Sequence, residues 1–215
     1  MHVPDGLLPA KISIGGYAIA SLATWYSLRQ IRRQSHPEEN VPKASLLIAA
    51  FFLASLIHIP IPPASVHLVL NGMLGAVLGY YAFPAILIGL FFQAVMFGHG
   101  GLTTLGVNAC MMGLPALLAG YIFHQRHFFP KSLGEKFSTP FFAFLAGAIG
   151  LGISAALFFS LVITNMPADL DANAEKTAIY GLMLAHIPLM AIEGMFTAML
   201  VAFLQRVKPE LLETI

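Results

Sequence analysis

Met1-His2, at the head of the chain, carries the donor atoms of a metal chelator. A free α-amine, the backbone nitrogen of residue 2 and the His2 ring can close two fused chelate rings on one ion. One ring runs through the Met1–His2 peptide, the other through the His2 side chain. The geometry needs histidine in second place and an unblocked amine, and it suits Cu(II), Ni(II) or Co(II), which accept planar nitrogen ligation. Histidine at residue 2 also hinders removal of the initiator methionine, because that trimming prefers a small neighbour. Three nitrogens leave one planar position open, and His67 can fill it. His67 ends Pro60-Ile61-Pro62-Pro63-Ala64-Ser65-Val66-His67. The prolines deny that segment a continuous helix, and irregular backbone at membrane depth is tolerated only where it is buried in protein or lines a cavity. Asn71, four residues on, shares a helical face with His67 and can orient its ring or the amino-terminal loop.

The elements that must position these groups are apolar. With 58% hydrophobic and 10% charged residues among 215, the chain is too apolar for a soluble globular domain. Seven stretches, near 8–28, 44–60, 66–82, 84–98, 105–123, 140–163 and 180–204, read as spans, against the roughly 20 residues that a bilayer crossing needs. The third and fourth are short, and Ala82-Phe83-Pro84 between them predicts a tight inner turn. No repeat or linker divides residues 1–215, so the expectation is a single all-α transmembrane domain that binds metal. The single Cys110 excludes an internal disulfide, and there is no CxxC zinc spacing and no phosphate-binding P-loop. No run of basic residues interleaved with aromatics suggests nucleic acid.

Arg29, Arg32, Arg33 and Lys43 lie between spans one and two, Arg126, Lys131 and Lys136 between five and six, and Arg206 and Lys208 after seven. Only Lys11 and Lys176 fall on the other side, so 9 of 11 basic residues share one face of the membrane. The positive-inside rule makes that face cytoplasmic, with the amino terminus outside and the carboxyl terminus inside. An odd number of spans satisfies both ends. The first segment is expected to be retained, because Arg29, Arg32 and Arg33 follow its apolar core, whereas a cleaved signal peptide carries its positive charge first.

This topology sorts the eight histidines. His36, His124 and His127 fall in cytoplasmic loops, while His2, His58, His67, His99 and His186 all map to the outer ends of spans or to outer loops. Neutral imidazole is a common ligand of Ni, Co, Zn and Cu, so the group points to a metal site at the outer mouth. The stretch from Gly98 to Gly106 joins spans four and five outside. Its glycines permit close backbone approach, and Thr103, Thr104 and Asn108 add hydrogen-bonding groups, which together read as a wall around the amino terminus. In span seven, Glu193 is the only acidic residue within any of the seven stretches. An unpaired carboxylate there is costly, so it marks function or an internal partner. His186 lies two turns earlier; both are read as support behind the nitrogen set, with direct ligation or proton relay by Glu193 as the alternative. Gly16, Ala20 and Thr24 form a small-residue face on span one, suited to close packing against a helix of this chain or, on the docking reading, of a separate subunit. The ten methionines are dispersed and, apart from Met1, read as packing.

Taken together, Met1-His2-Val3-Pro4-Asp5-Gly6, Ser65-Val66-His67 with Asn71-Gly72, Gly100-Gly101-Leu102-Thr103-Thr104-Leu105-Gly106-Val107-Asn108, and His186-Ile187-Pro188 through Glu193-Gly194 resemble the CbiM/NikM family. These are the substrate-capture membrane subunits of cobalt and nickel energy-coupling-factor transporters. The match covers nearly the whole chain, with its motifs in order. The resemblance implies a seven-helix fold whose amino-terminal loop plugs inward, in the plasma (inner) membrane of a prokaryote. It implies Co2+ or Ni2+ as transported substrate, with no organic cofactor, held by the Met1 amine, the amide and ring of His2, and His67. It also implies partners: a transmembrane coupling protein, paired ATPase subunits and, in some systems, a small accessory membrane protein. His99 stands where other members carry different residues, so the resemblance does not make it an obligatory ligand. The Gly-Gly-Leu-Thr-Thr-Leu-Gly-Val-Asn wording is closer to cobalt-assigned members. Two rival classes remain: a redox protein whose intramembrane histidines ligate haem b, which needs two opposed imidazoles, and a hydrolase using His99 or His186 with Glu193, which no GxSxG or HExxH spacing supports.

Overall fold

In the computed structural model, which describes residues 1–61, 64–128, 135–165 and 172–212, seven α-helices occur among the described residues. They are α1 (Ala10–Ile31), α2 (Val41–Ala54), α3 (Asn71–Leu78), α4 (Ala82–Phe97), α5 (Leu105–His124), α6 (Glu135–Thr164) and α7 (Ala172–Val207). Pro62, Pro63 and Lys131 lie outside the described residues, as do the side chains of His58, Lys136 and Lys176. One expectation needs correcting at once. Between α2 and α3 the chain is not helical but forms a short antiparallel ladder, β1 (His58–Ile61) and β2 (Ala64–His67), with His58 opposite His67. Proline cannot donate a backbone hydrogen bond, so α2 ends at Ala54 rather than running to residue 60, and the chain enters α3 extended.

Among the described residues, four stretches are long and apolar enough to cross a membrane: Asn71–Phe97, Leu105–Phe128, Phe137–Thr164 and Ile179–Val207. The first is not a straight rod. At 1.5 Å per residue its 27 residues would span about 40 Å, yet both of its ends come to the amino terminus. His67, just before α3, meets Met1, and Gln93, near the end of α4, meets His2. The chain therefore doubles back, α3 running one way and α4 returning. The reversal is at Gly79, whose φ of 54° and ψ of −122° only glycine adopts without strain. The sequence placed this turn at residues 82–84; Pro84 instead sits in the first turn of α4, where its missing N–H costs nothing.

All eight residues of α3 are buried, and glycines make that possible. A Cβ on Gly72 would strike the backbone of Ala146 and Gly147 in α6, and one on Gly75 would strike the carbonyl of Ala116 in α5. Small residues let helices approach closely where the surroundings offer no hydrophobic drive. The surface facing away from this core is apolar, with Ile14, Leu22, Leu46 and Met199 each about two-thirds exposed or more (70%, 67%, 72% and 67%). At the end remote from Met1, Lys43 and Arg126 donate to the carbonyls of Leu211 and Leu212 at 2.9 and 2.8 Å, and the Tyr81 hydroxyl donates to Pro37 O at 2.6 Å.

Gly75→Ala is expected to lower the thermal unfolding midpoint in detergent, at a cost of about 1–3 kcal/mol for overpacking. Gly15→Ala, with nothing within 4 Å of the added carbon, is expected to be neutral or to stabilise by up to ~1 kcal/mol. Equal midpoints for the two variants would contradict the close α3–α5 contact.

Candidate metal centre

The amino-terminal segment has no secondary structure of its own and is held by side chains of α5 and the loop before it. Val3 is fully buried. Its N–H donates to Asn108 Oδ1 at 2.9 Å, and its carbonyl accepts from Thr104 Oγ1 at 2.7 Å and Asn108 Nδ2 at 3.0 Å. A buried backbone group must find a partner, and here two polar side chains replace a neighbouring strand. Two residues on, Asp5 Oδ1 accepts from Thr103 N–H at 2.9 Å and Thr103 Oγ1 at 2.5 Å. It thereby caps the start of α5, where a negative group is favoured. The Thr103 hydroxyl holds this carboxyl below its usual range. Gly101 leaves the room that the Asp5 carboxylate occupies, and Tyr17 on α1 donates to the carbonyl of Leu102.

Clamped in this way, Met1 reaches the end of β2 and His2 the buried face of α4. The Met1 nitrogen lies 2.7 Å from His67 Nε2. The rings of His2 and His67 stack with centroids 5.4 Å apart. Burial pushes the Met1 amine from 8.0 down to about 5, against a smaller opposing pull from Glu193. Burial likewise holds His2 well below its ordinary value, helped by the amine and His67 beside it. At neutral pH the Met1 amine and the His2 ring therefore present unprotonated nitrogens.

Each ring's far nitrogen decides which near nitrogen is available. Gln93 Nε2 donates to Ser55 Oγ at 2.9 Å, so its Oε1 faces His2 Nε2 at 2.8 Å and accepts that proton. The lone pair of His2 is left on Nδ1, the nitrogen that would close a six-membered chelate ring with the residue 2 amide. His67 Nδ1 faces the Leu68 carbonyl at 3.0 Å, which leaves Nε2 as an acceptor toward the amine. Metal-binding histidines are oriented by this kind of outer hydrogen bond. Gln93 and Ser55 were not singled out from sequence. The available signal was Gln93 itself, a fully buried amide in an otherwise apolar helix.

The remaining residues fall into different places. The Glu193 carboxylate accepts from the amides of Val69 and, at 3.0 Å, Leu70. Leu70 has a φ of 55°, the only positive value among described non-glycine residues, and this kink turns β2 into α3. Glu193 thus holds the backbone that carries His67. Asn71 does not orient His67: its Nδ2 donates to Met112 O, Gly150 O and Ser154 Oγ at 3.0, 3.3 and 2.8 Å, tying α3 to α5 and α6. His186 Nδ1 donates to Leu182 O at 2.7 Å and its ring lies edge-on to Phe159, within electrostatic reach of the Met1 amine. His99 stacks over His2 at 6.0 Å. Gly16 and Ala20, read as a docking face, are buried within this chain, with Gly16 against Val107 of α5, and Thr24 Oγ1 bonds Ala20 O. Their small side chains fit the internal α1–α5 contact. Among the described residues, no three His, Cys, Asp or Glu side chains converge on one point.

The family described as CbiM, cobalt uptake substrate-specific transmembrane region, matches residues 2–211. The chain belongs to the CbiM family. It is a multi-pass inner-membrane protein of metal uptake. A protein of Haemophilus influenzae named for metal transport is 33% identical over 212 residues, covering 99% of this chain and 97% of that one. The cobalt transport protein CbiM of Clostridium tetani is 27% identical over 217 residues, covering 96% and 85%. The fused nickel transport protein NikMN of Rhodobacter capsulatus is 31% identical over 226 residues, covering 99% of this chain and 64% of the fusion. A solved transition metal transporter shares the fold with a TM-score of 0.78 at 23% identity, covering 100% and 96%.

Removing the Gln93 acceptor frees the His2 tautomer. Gln93→Leu is expected to weaken Ni2+ or Co2+ binding by about 10–100-fold in titration calorimetry, with a smaller loss for Ser55→Ala. Wild-type affinity in Gln93→Leu would mean that the bond does not orient a ligand.

Proposed function

We propose that this chain is the substrate-capture subunit of an energy-coupling-factor transporter, binding Co2+ or Ni2+ from the outer face through Met1 N, the His2 amide and ring, and His67. The carrying observation is the Met1 nitrogen 2.7 Å from His67 Nε2. Metal–nitrogen bonds of ~2.0 Å at right angles put neighbouring nitrogens ~2.8 Å apart, so these two atoms already have the spacing of adjacent corners of a plane. The ion sheds water, enters the nitrogen set and displaces the residue 2 amide proton. Partner ATPases then drive the reorientation that releases it inside. The wording of the Gly100–Asn108 stretch favours cobalt.

The single domain crosses the membrane seven times on this reading, with the α3–α4 pair reaching in and returning. Orientation follows from the basic end: Lys43 and Arg126 lie opposite the metal centre, so the positive-inside rule puts the centre outside. Since Gly16 and Ala20 are taken up by α5, the coupling protein would meet the other face of α1, where Ile14, Leu22 and Trp25 are 70%, 67% and 58% exposed. A haem reading is disfavoured because the amine stands where an iron would have to approach His67 Nε2; a Soret band in purified protein would reverse that judgement.

Inserting one alanine between Met1 and His2 keeps every side chain but adds a second amide and a third chelate ring, which fills the planar corner that His67 would occupy. It is expected to abolish uptake, as His67→Ala is expected to abolish tight binding; undiminished accumulation of both metals by the insertion variant would overturn the proposal. Proton release gives an independent check. At pH 7 the Met1 amine, with its value near 5, holds no proton, so each ion should displace about one proton, from the amide. An exposed terminal amine, near 8, would add most of a second. Below pH 5 the amine binds a proton that the ion must displace, so release should rise and affinity fall. Calorimetry in buffers of different ionisation enthalpy reads the count; two protons at pH 7 would mean that the amine is not buried and neutral.

A further inference from the structure

The three imidazoles at this end form a row with His2 in the middle. His67 stacks on it at 5.4 Å and 24°, His99 at 6.0 Å and 27°. His99 and His2 are both half-buried, and His67, at the far end of the row, is 9% exposed. His99 is carried between Gly98 and Gly100, whose φ values of 64° and 80° are left-handed. This places its ring over the amino-terminal segment. Gly100 forms the roof beside it, since a Cβ there would lie 3.5 Å from His2 Cβ and Cδ2 and 3.0 Å from Asn108 Nδ2. The same loop is pinned to the centre by His99 N–H donating to Gln93 O at 3.1 Å, the residue whose side chain fixes His2.

We infer that His99 is a transit ligand, the first imidazole to bind the incoming divalent ion, which then passes to Met1, His2 and His67. The inference rests on the capture reading of the centre. A hydrated divalent ion cannot reach the buried plane without losing water, and giving up all of it before gaining a nitrogen would be a high barrier. Exchanging one water for the His99 ring at the half-exposed mouth divides that barrier. The ion then moves one ring down the stack, where the amine, amide and two imidazoles complete the plane and His99 lets go. A group that touches the ion only on the way stabilises the barrier and neither end state, so it speeds entry and exit equally and leaves the equilibrium unchanged.

The test is stopped-flow mixing of Ni2+, and separately Co2+, with purified protein bearing its natural amino terminus, alongside equilibrium titration. His99→Ala is expected to slow association by about tenfold or more, slow chelator-driven release by the same factor and leave Kd unchanged. Its thermal midpoint should match the unsubstituted protein. An unchanged association rate overturns the inference. So does a weaker Kd with unchanged association, which would make His99 a ligand of the bound state. The His67→Ala variant separates the two levels of argument. If it binds with unchanged Kd, the capture reading fails; if it loses binding while His99→Ala behaves as the unsubstituted protein, only the transit role fails.

Discussion

Val3 is gripped at both backbone groups by side chains of α5, and the metal centre depends on that grip. Chain termini are ordinarily the least ordered part of a fold, and holding one still costs conformational entropy. Asn108 supplies both a donor and an acceptor to one residue, Thr104 a further donor, and Asp5 anchors the chain again at the start of α5. The segment is thus tied on the far side of Val3 from the chelating atoms, leaving Met1 and His2 to project toward His67. Preorganisation of this kind lets binding energy go to the ion rather than to ordering the loop.

The second constraint is charge. An amine and two imidazoles packed into an apolar bundle are tolerable only while unprotonated, because burying an unpaired cation is very costly. On the proposed capture reading, an arriving divalent ion would reverse that balance, and loss of the amide proton would remove one unit of its charge. Glu193, fully buried and electrostatically coupled to the Met1 amine, is the acidic group set behind the plane. Its contribution is felt without its becoming a ligand, since its oxygens are already turned to the Val69 and Leu70 amides.

Much of this was legible in the sequence because the relevant signals are local. The donor atoms of Met1-His2 are visible without tertiary information, hydropathy identifies the apolar stretches, and His67, singled out for its place after the prolines, is found beside the Met1 nitrogen. The turn between the third and fourth stretches was read from Pro84, but Gly79 makes it, because a positive φ with a ψ of −122° is a stronger demand than a proline's missing donor. Asn71 was assigned to His67 by helical periodicity, yet α3 begins at Asn71 and His67 lies in β2, so the i+4 relation does not exist. Gln93 escaped notice because its role is a contact across 91 residues. The small residues of α1 carried an ambiguity that only the packing of Gly16 on Val107 resolves.

On the proposed capture reading, release would have to undo what capture built, and the packing of the helices limits how. His67 is carried by the kinked backbone at Val69 and Leu70, and that kink is bonded to α7 through Glu193. Close glycine contacts tie α7 to α6, and α6 to α3, so these helices cannot slide past one another by small deformations. A motion that parts α7 from α3 must leave two backbone donors and a carboxylate unpaired unless water enters. The same motion removes the support that keeps Leu70 in a left-handed conformation and shifts His67 away from the amine. Opening a path through the bundle and loosening the fourth nitrogen are therefore one event mechanically, so the ion's hold weakens when the route inward is exposed.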